Sequence, residues 1–302
     1  MYQYPKFPIP NSQLIKKLQL NGVDFSDVTK AESILLEIGY YRLKGYFFDL
    51  VDPTTKRFPQ GTTFDMILGI YGFDTKLSHI LFEFLTRIEI ALRARLVAAL
   101  SKYGDALILN DPSIFDDKMF YWKNQSSIAS EIARSNDIFI KHNYYNHEGA
   151  IPIWAVVEVM SFGTLSKIIK TLKTGKQGAY SSLACHYQYK TSKGKTATPS
   201  KEMLSSWIQA ASVMRNICAH NSRIYNRAFT TIPKLITTDA IVPTPKFNGV
   251  YQIILAMKYL RPSDSSWTDF VHKLSSLFSE YSSIVTPVKL HFPSDWRNHF
   301  LI

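Results

Sequence analysis

The stretch FDMILGIYGFDTKLSHILFEFLTRIEIALRARLVAALSK, residues 64–102, holds no proline and repeats its apolar residues at helical spacing. Ile70, Leu77, Leu81, Leu85, Ile88, Leu92 and Leu96 recur three, four or seven positions apart, which places them on one face of a 3.6-residue helix. The spacing predicts one long helix, or two stacked end to end with a bend at Gly69 and Gly72. Glu89 and Arg93 stand at i, i+4, where an ion pair on a helix adds a few tenths of a kcal/mol.

The same periodicity extends outward in both directions. Upstream, Thr29-Lys30-Ala31-Glu32 has capping-box spacing and opens a short helix that stops near Gly39. Downstream, helices are expected over about 124–141, from Ile153 to a break at Phe162-Gly163-Thr164, and then from Thr164 as a cap. Further helices follow near 200–221, 249–260 and 266–284. Strand signals are sparse and two-residue hairpin turns are absent, so residues 189–199 read as a basic, small-residue loop. The fold class is therefore all-α. Residues 1–61 read as an N-terminal helical segment, and residues 62–302 as one larger helical domain.

Of the 35 Lys and Arg residues against 24 Asp and Glu, most of the excess is concentrated. Between Met160 and Leu235 the only acid is Glu202, whereas the rest of the chain is charge-balanced. A neutral body with one basic segment implies a polyanionic partner. Within that segment Lys167, Lys170, Lys173 and Lys176 recur every third residue, and Lys190, Lys193 and Lys195 follow in the loop. All are candidates for RNA-backbone contacts, against the plainer reading of a solvated helix face. Two cysteines, Cys185 and Cys218, are too few for a disulfide framework. The first residues lack the basic-then-apolar order of a signal peptide, and no run approaches the ~18 apolar residues of a membrane span. A soluble, cytoplasmic protein with no membrane partner is expected.

Inside the basic segment lies Arg215-Asn216-Ile217-Cys218-Ala219-His220-Asn221-Ser222-Arg223. On a continuous helix Asn216, His220, Arg223 and Arg227 form one polar stripe flanked by Arg215, with Val213, Ile217 and Ile224 opposite. These residue types suit the cleavage of RNA. RNA supplies its own nucleophile, the 2′-hydroxyl. Histidine can carry protons near neutral pH. Arginine presents a permanently charged planar fork to phosphate oxygens. Asn216 can orient the imidazole or hold an oxygen. The bare Arg-to-His spacing is weak, because chance gives about one match in a chain of this composition.

Residues 215–227 resemble the hallmark of the AbiD/AbiF-like abortive-infection proteins, members of the HEPN superfamily, many of which are RNases. Three further segments resemble that family in the same order: Ile38–Tyr46 (IGYYRLKGY), Arg87–Arg93 (RIEIALR) and Pro152–Leu165 (PIWAVVEVMSFGTL). The resemblance implies a HEPN-like helical bundle with an N-terminal helical extension, paired as a two-fold homodimer whose motif helices face each other. It implies RNA cleavage without a metal or other cofactor, with Arg215 and His220 as catalytic residues and Asn216 assisting. Glu158 stands where the family motif keeps an acid and is a candidate to support Arg215 or His220. An anti-phage, toxin-like role is implied, with RNA as substrate and a small non-coding RNA as a restraining partner. The alternative from another class is a non-catalytic RNA-binding or phage-sensing module on the same scaffold. Host toxicity that disappears in His220→Ala separates the two.

Two other clusters have mainly bland readings. Tyr40, Tyr41, Tyr46, Phe47 and Phe48 read as core before base-stacking surface, and Arg42 among them as the partner of a buried acid. His142 and His147 lack the spacing and third ligand of a metal site, and that segment reads as a surface loop. Phosphate-loop and nucleophile-elbow motifs are absent from the sequence.

Overall fold

A computed structural model describes residues 7–48, 50–175, 178–240 and 248–302; Lys176 lies outside them. The chain is mainly all-α. An N-terminal group holds α1 (Asn11–Leu20), α2 (Val28–Ile38) and α3 (Tyr40–Phe47), followed by the long α4 (Phe64–Ser101). Then come α5 (Lys118–Arg134), α6 (Ile138–Asn146), α7 (Ile153–Val159), α8 (Phe162–Thr171) and α9 (Ala179–Ala184). A two-stranded antiparallel hairpin, β1 (Tyr189–Lys190) and β2 (Thr196–Ala197), precedes α10 (Lys201–Ala219). The remaining helices are α11 (Thr237–Ala240), α12 (Val250–Leu260), α13 (Asp264–Glu280) and α14 (Trp296–His299). No helix among the described residues is long and apolar enough to cross a membrane.

The spine is α4, unbroken through both glycines. Thr63 caps it by accepting from the Met66 amide at 3.1 Å. Gly69 does not bend the helix; a Cβ there would meet the tip of the Ile284 side chain, which packs over this position from beyond α13. The apolar stripe of α4 is buried along its length, and α10 packs against α4, α8 and α12. Trp207 of α10 is fully buried. A second, smaller core joins Ile15, Leu18, Leu35, Leu43 and Phe47 to Phe64 and Ile67, so the first turn of α4 is shared by the N-terminal helices.

Several boundaries differ from the sequence reading, each through a local polar group. The helix expected over 124–141 is two helices, because Ser135 leaves the helical region and its hydroxyl bonds Asp137 at the start of α6. His142 consequently lies on a helix and not in a loop. Asp27 caps α2, its carboxylate accepting from the Lys30 amide at 3.0 Å, two residues earlier than the Thr29 box. The break after α7 falls at Met160-Ser161, and Ser161 caps α8 by accepting from the Thr164 amide. The basic loop closes into its short hairpin with Tyr189 opposite Ala197.

Candidate active site

The motif helix ends at Ala219. His220 follows with φ −91° and its amide donates to the Asn216 carbonyl at 3.0 Å. Asn221 then adopts φ 48°, a left-handed conformation that asparagine tolerates, and the Ser222 amide returns to the Ile217 carbonyl at 2.9 Å. The polar stripe therefore stops at His220. Arg223 and Arg227 do not continue the helix face, because the chain has turned away before them. Arg223 Nη1 donates to the carbonyls of Gly45 (2.8 Å) and Tyr225 (3.2 Å), and Arg227 Nη1 to that of Arg223 (3.2 Å).

Arg215 is held from behind by Glu89 of α4. Its Nε donates to Glu89 Oε2 at 3.1 Å and its Nη2 to Oε1 at 3.3 Å, a two-pronged pairing. Glu89 is only 2% exposed and also accepts from Arg93 Nη2 at 2.7 Å. Arg93 in turn donates to the carbonyls of Val157 (2.8 Å) and Met160 (2.9 Å) at the end of α7. The Glu89–Arg93 pair is thus part of a buried Arg–Glu–Arg network joining α4, α7 and α10, not the solvated helix pair that its spacing suggests. Removing one partner of such a network typically costs about 3–5 kcal/mol. The Arg215 side chain keeps 30% of its surface exposed, and its Nη1 bonds Asn216 Oδ1 at 3.2 Å. The acid on Arg215 is Glu89; Glu158 is exposed on α7 and lines a different cavity with Trp154 and His142.

A second group of contacts fixes the turn that follows His220. Asp74 of α4, 2% exposed, accepts from the amides of Ile224 (3.0 Å) and Tyr225 (2.7 Å) and from the Tyr46 hydroxyl (2.8 Å). Burial pushes the Asp74 carboxyl up, and these donors pull it back. Arg42 of α3 donates to the Asn221 carbonyl and sits over the Tyr71 ring, so its partner is a backbone carbonyl and not the buried acid expected of it. Tyr46 and Phe47 are core, while Tyr41 and Phe48 are exposed. Between them, α3 and Asp74 clamp the motif's exit. Neither Glu89 nor Asp74 was assigned such a role by sequence, yet each had a signal. Both fall on the buried apolar stripe of α4, where a carboxylate requires partners.

His220 is exposed, and its imidazole has no hydrogen-bond partner among the described residues. The candidate lysines lie on other elements, all of them before α10 in the chain. Lys167 and Lys170 are exposed on α8, and Lys173 follows it. Lys190, Lys193 and Lys195 lie on the hairpin, which packs Tyr189 against Trp207 and Tyr259 near the start of α10. Thirteen residues of helical rise separate Trp207 from His220, about 20 Å. His142 and His147 are ring neighbours at 5.2 Å, but no group of three metal-binding side chains occurs among the described residues.

A family model described as Abi-like protein matches residues 33–226. No curated protein matches the chain, and no solved structure does. The matched span runs from α2 through α3 and the α4 spine to the turn clamped by Asp74, well over half of the sequence. With that span taken in, the chain belongs to the Abi-like family of abortive-infection proteins.

Proposed function

We propose that this protein is a HEPN-type endoribonuclease of anti-phage abortive infection, cutting RNA at Arg215 and His220. The observation that carries the reading is the pairing of a backed arginine in the last turns of α10 with an accessible histidine at its C-terminal cap. Glu89 and Arg93 fix the Arg215 guanidinium from the protein side, leaving its outer edge for a phosphate oxygen. Asn216 adjoins that edge. His220, exposed on the last turn, carries the proton.

The reaction needs no external nucleophile. The 2′-oxygen attacks phosphorus as its proton passes to an imidazole, the bond from phosphorus to the 5′-oxygen breaks, and that oxygen takes a proton. The products are a 2′,3′-cyclic phosphate and a 5′-hydroxyl. Arg215 stabilises the charge that builds on the phosphate. One chain brings one such motif, so a second copy supplies the second imidazole in a two-fold homodimer. RNA is the substrate, the basic hairpin and α8 guide its backbone, and a small non-coding RNA restrains the enzyme. Sedimentation tests the pairing: full activity at concentrations where only monomer exists contradicts it. Host toxicity of the wild type, lost in His220→Ala, tests the reaction; equal toxicity of both favours a non-catalytic module.

A further inference from the structure

At the opposite end of α10 from His220, a cavity of about 650 Å³ opens between the hairpin, α12 and α14. Lys190, Lys258 and Arg261 line it, and Asp239 is the one acidic side chain among the lining residues, which also include Ile302 at the end of the chain. The Asp239 carboxylate is already engaged, accepting from the Tyr259 hydroxyl at 2.8 Å. The cations are oriented with donors to spare. Arg261 is fixed by Nε on Asp264 (2.6 Å) and Nη1 on the Lys258 carbonyl (2.7 Å). The Lys258 ammonium donates to the His299 carbonyl at 2.9 Å, which uses one of its three N–H groups. Burial pushes the Lys258 pKa down and nearby Arg261 adds to this, against the pull of Asp239. A bound anion would relieve that strain. Aromatic surface lies beside the charge: Tyr189 meets Tyr259 edge-on at 6.1 Å, and Tyr259 stacks on buried Trp207 at 5.1 Å.

We propose that this cavity binds a phosphorylated nucleotide, with Lys190, Lys258 and Arg261 around the phosphate and the Tyr189 and Tyr259 rings beside the base. A cationic pocket with an aromatic wall fits that chemistry, because the ammonium and guanidinium groups take the phosphate oxygens and any base can stack on a ring. The phosphate has two sources: a free mononucleotide, or the phosphorylated end of an RNA strand led in by exposed Lys193 and Lys195 of the hairpin. The site is separate from Arg215 and His220 and stands whether or not they cut RNA.

Binding of adenosine 5′-monophosphate, and of one short RNA carrying a phosphate at its 5′ end, its 3′ end or neither, tests this on the full-length His220→Ala protein. A terminal phosphate is expected to tighten RNA binding about tenfold. Lys258→Met is expected to erase that gain without changing affinity for the unphosphorylated strand. Lys190→Gln, on an exposed side chain that folding does not need, should halve the gain or more. Saturable binding of the mononucleotide, lost in Lys258→Met, identifies the free nucleotide as ligand; a gain on RNA alone identifies the strand end. Equal affinity for all RNA forms with no mononucleotide binding overturns the proposal. So does a phosphate gain that survives both substitutions.

Discussion

Arg215 and His220 stand five residues apart on one helix and live in opposite surroundings. Arg215 is fastened to a buried carboxylate that is itself fastened to Arg93 and, through it, to the end of α7. His220 is exposed at the helix end, and only the backbone around it is restrained, by Arg42 and Asp74 acting on residues 221–225. In the proposed reaction the contrast would separate two tasks. A group that must hold a phosphate in one place gains from a rigid mount, because positioning lost by even an ångström weakens charge stabilisation. A group that must give and take protons gains from access to solvent and an unshared ring. Substitutions on the two sides should therefore differ in kind.

The largest effect is expected on the exposed side and in activity alone. His220→Ala should lower RNA cleavage by about 10²–10⁴-fold, while its unfolding midpoint in urea stays at the wild-type value. A matching loss of stability would break the contrast. Glu89→Ala should do the reverse in emphasis: it strands two arginines and should cost about 3–5 kcal/mol of stability in urea unfolding. An unchanged midpoint there would show that the network is not what mounts Arg215. Arg42→Ala should be milder, about 1.5–3 kcal/mol for a charged hydrogen bond, and should speed hydrogen exchange at the Ile224 and Tyr225 amides. Protection that stays at the wild-type level would remove α3 from the account of the motif's exit.

Two smaller effects sharpen the picture away from the motif. Changing Lys190, Lys193 and Lys195 together to Gln should flatten the salt dependence of RNA binding by up to about two units of slope. An unchanged slope would leave the hairpin as solvated surface. Buried Cys218 has its thiol pushed up to about 12, chiefly by burial, whereas Cys185 is exposed. The native protein should therefore react with a thiol reagent at Cys185 only. Because the folded state keeps the Cys218 proton after the unfolded chain has lost it, that contribution to stability is complete below the ordinary thiol pKa and fades as pH rises towards 12. Rapid labelling of two thiols in the native protein contradicts this.

What the sequence made legible was periodic. Leu77, Leu81, Leu85, Leu92 and Leu96 announce α4, and the same rule places α10 and α12 to within two residues at each end. Residues 215–220 could be singled out because their chemistry is unusual together. What stayed hidden depends on contacts distant in sequence. Glu89 reaches Arg215 across 126 positions, and Arg42 reaches Asn221 across 179. No local spacing encodes either pairing, although a carboxylate on a buried stripe signals that some partner exists. The end of α10 was missed by the stripe for a different reason: two left-handed residues, Asn221 before Arg223 and Asn226 before Arg227, redirect the chain, and periodicity carries no mark of them.

The most direct measurement of the central claim is the chemistry of the cut ends. Purified wild-type protein and His220→Ala are incubated with total RNA in excess EDTA, and the termini of any fragments are identified. The wild type should leave 2′,3′-cyclic phosphate and 5′-hydroxyl ends, and His220→Ala no new ends. Fragments bearing 5′-phosphates, cleavage that EDTA abolishes and magnesium restores, or equal cutting by the two proteins would contradict the claim.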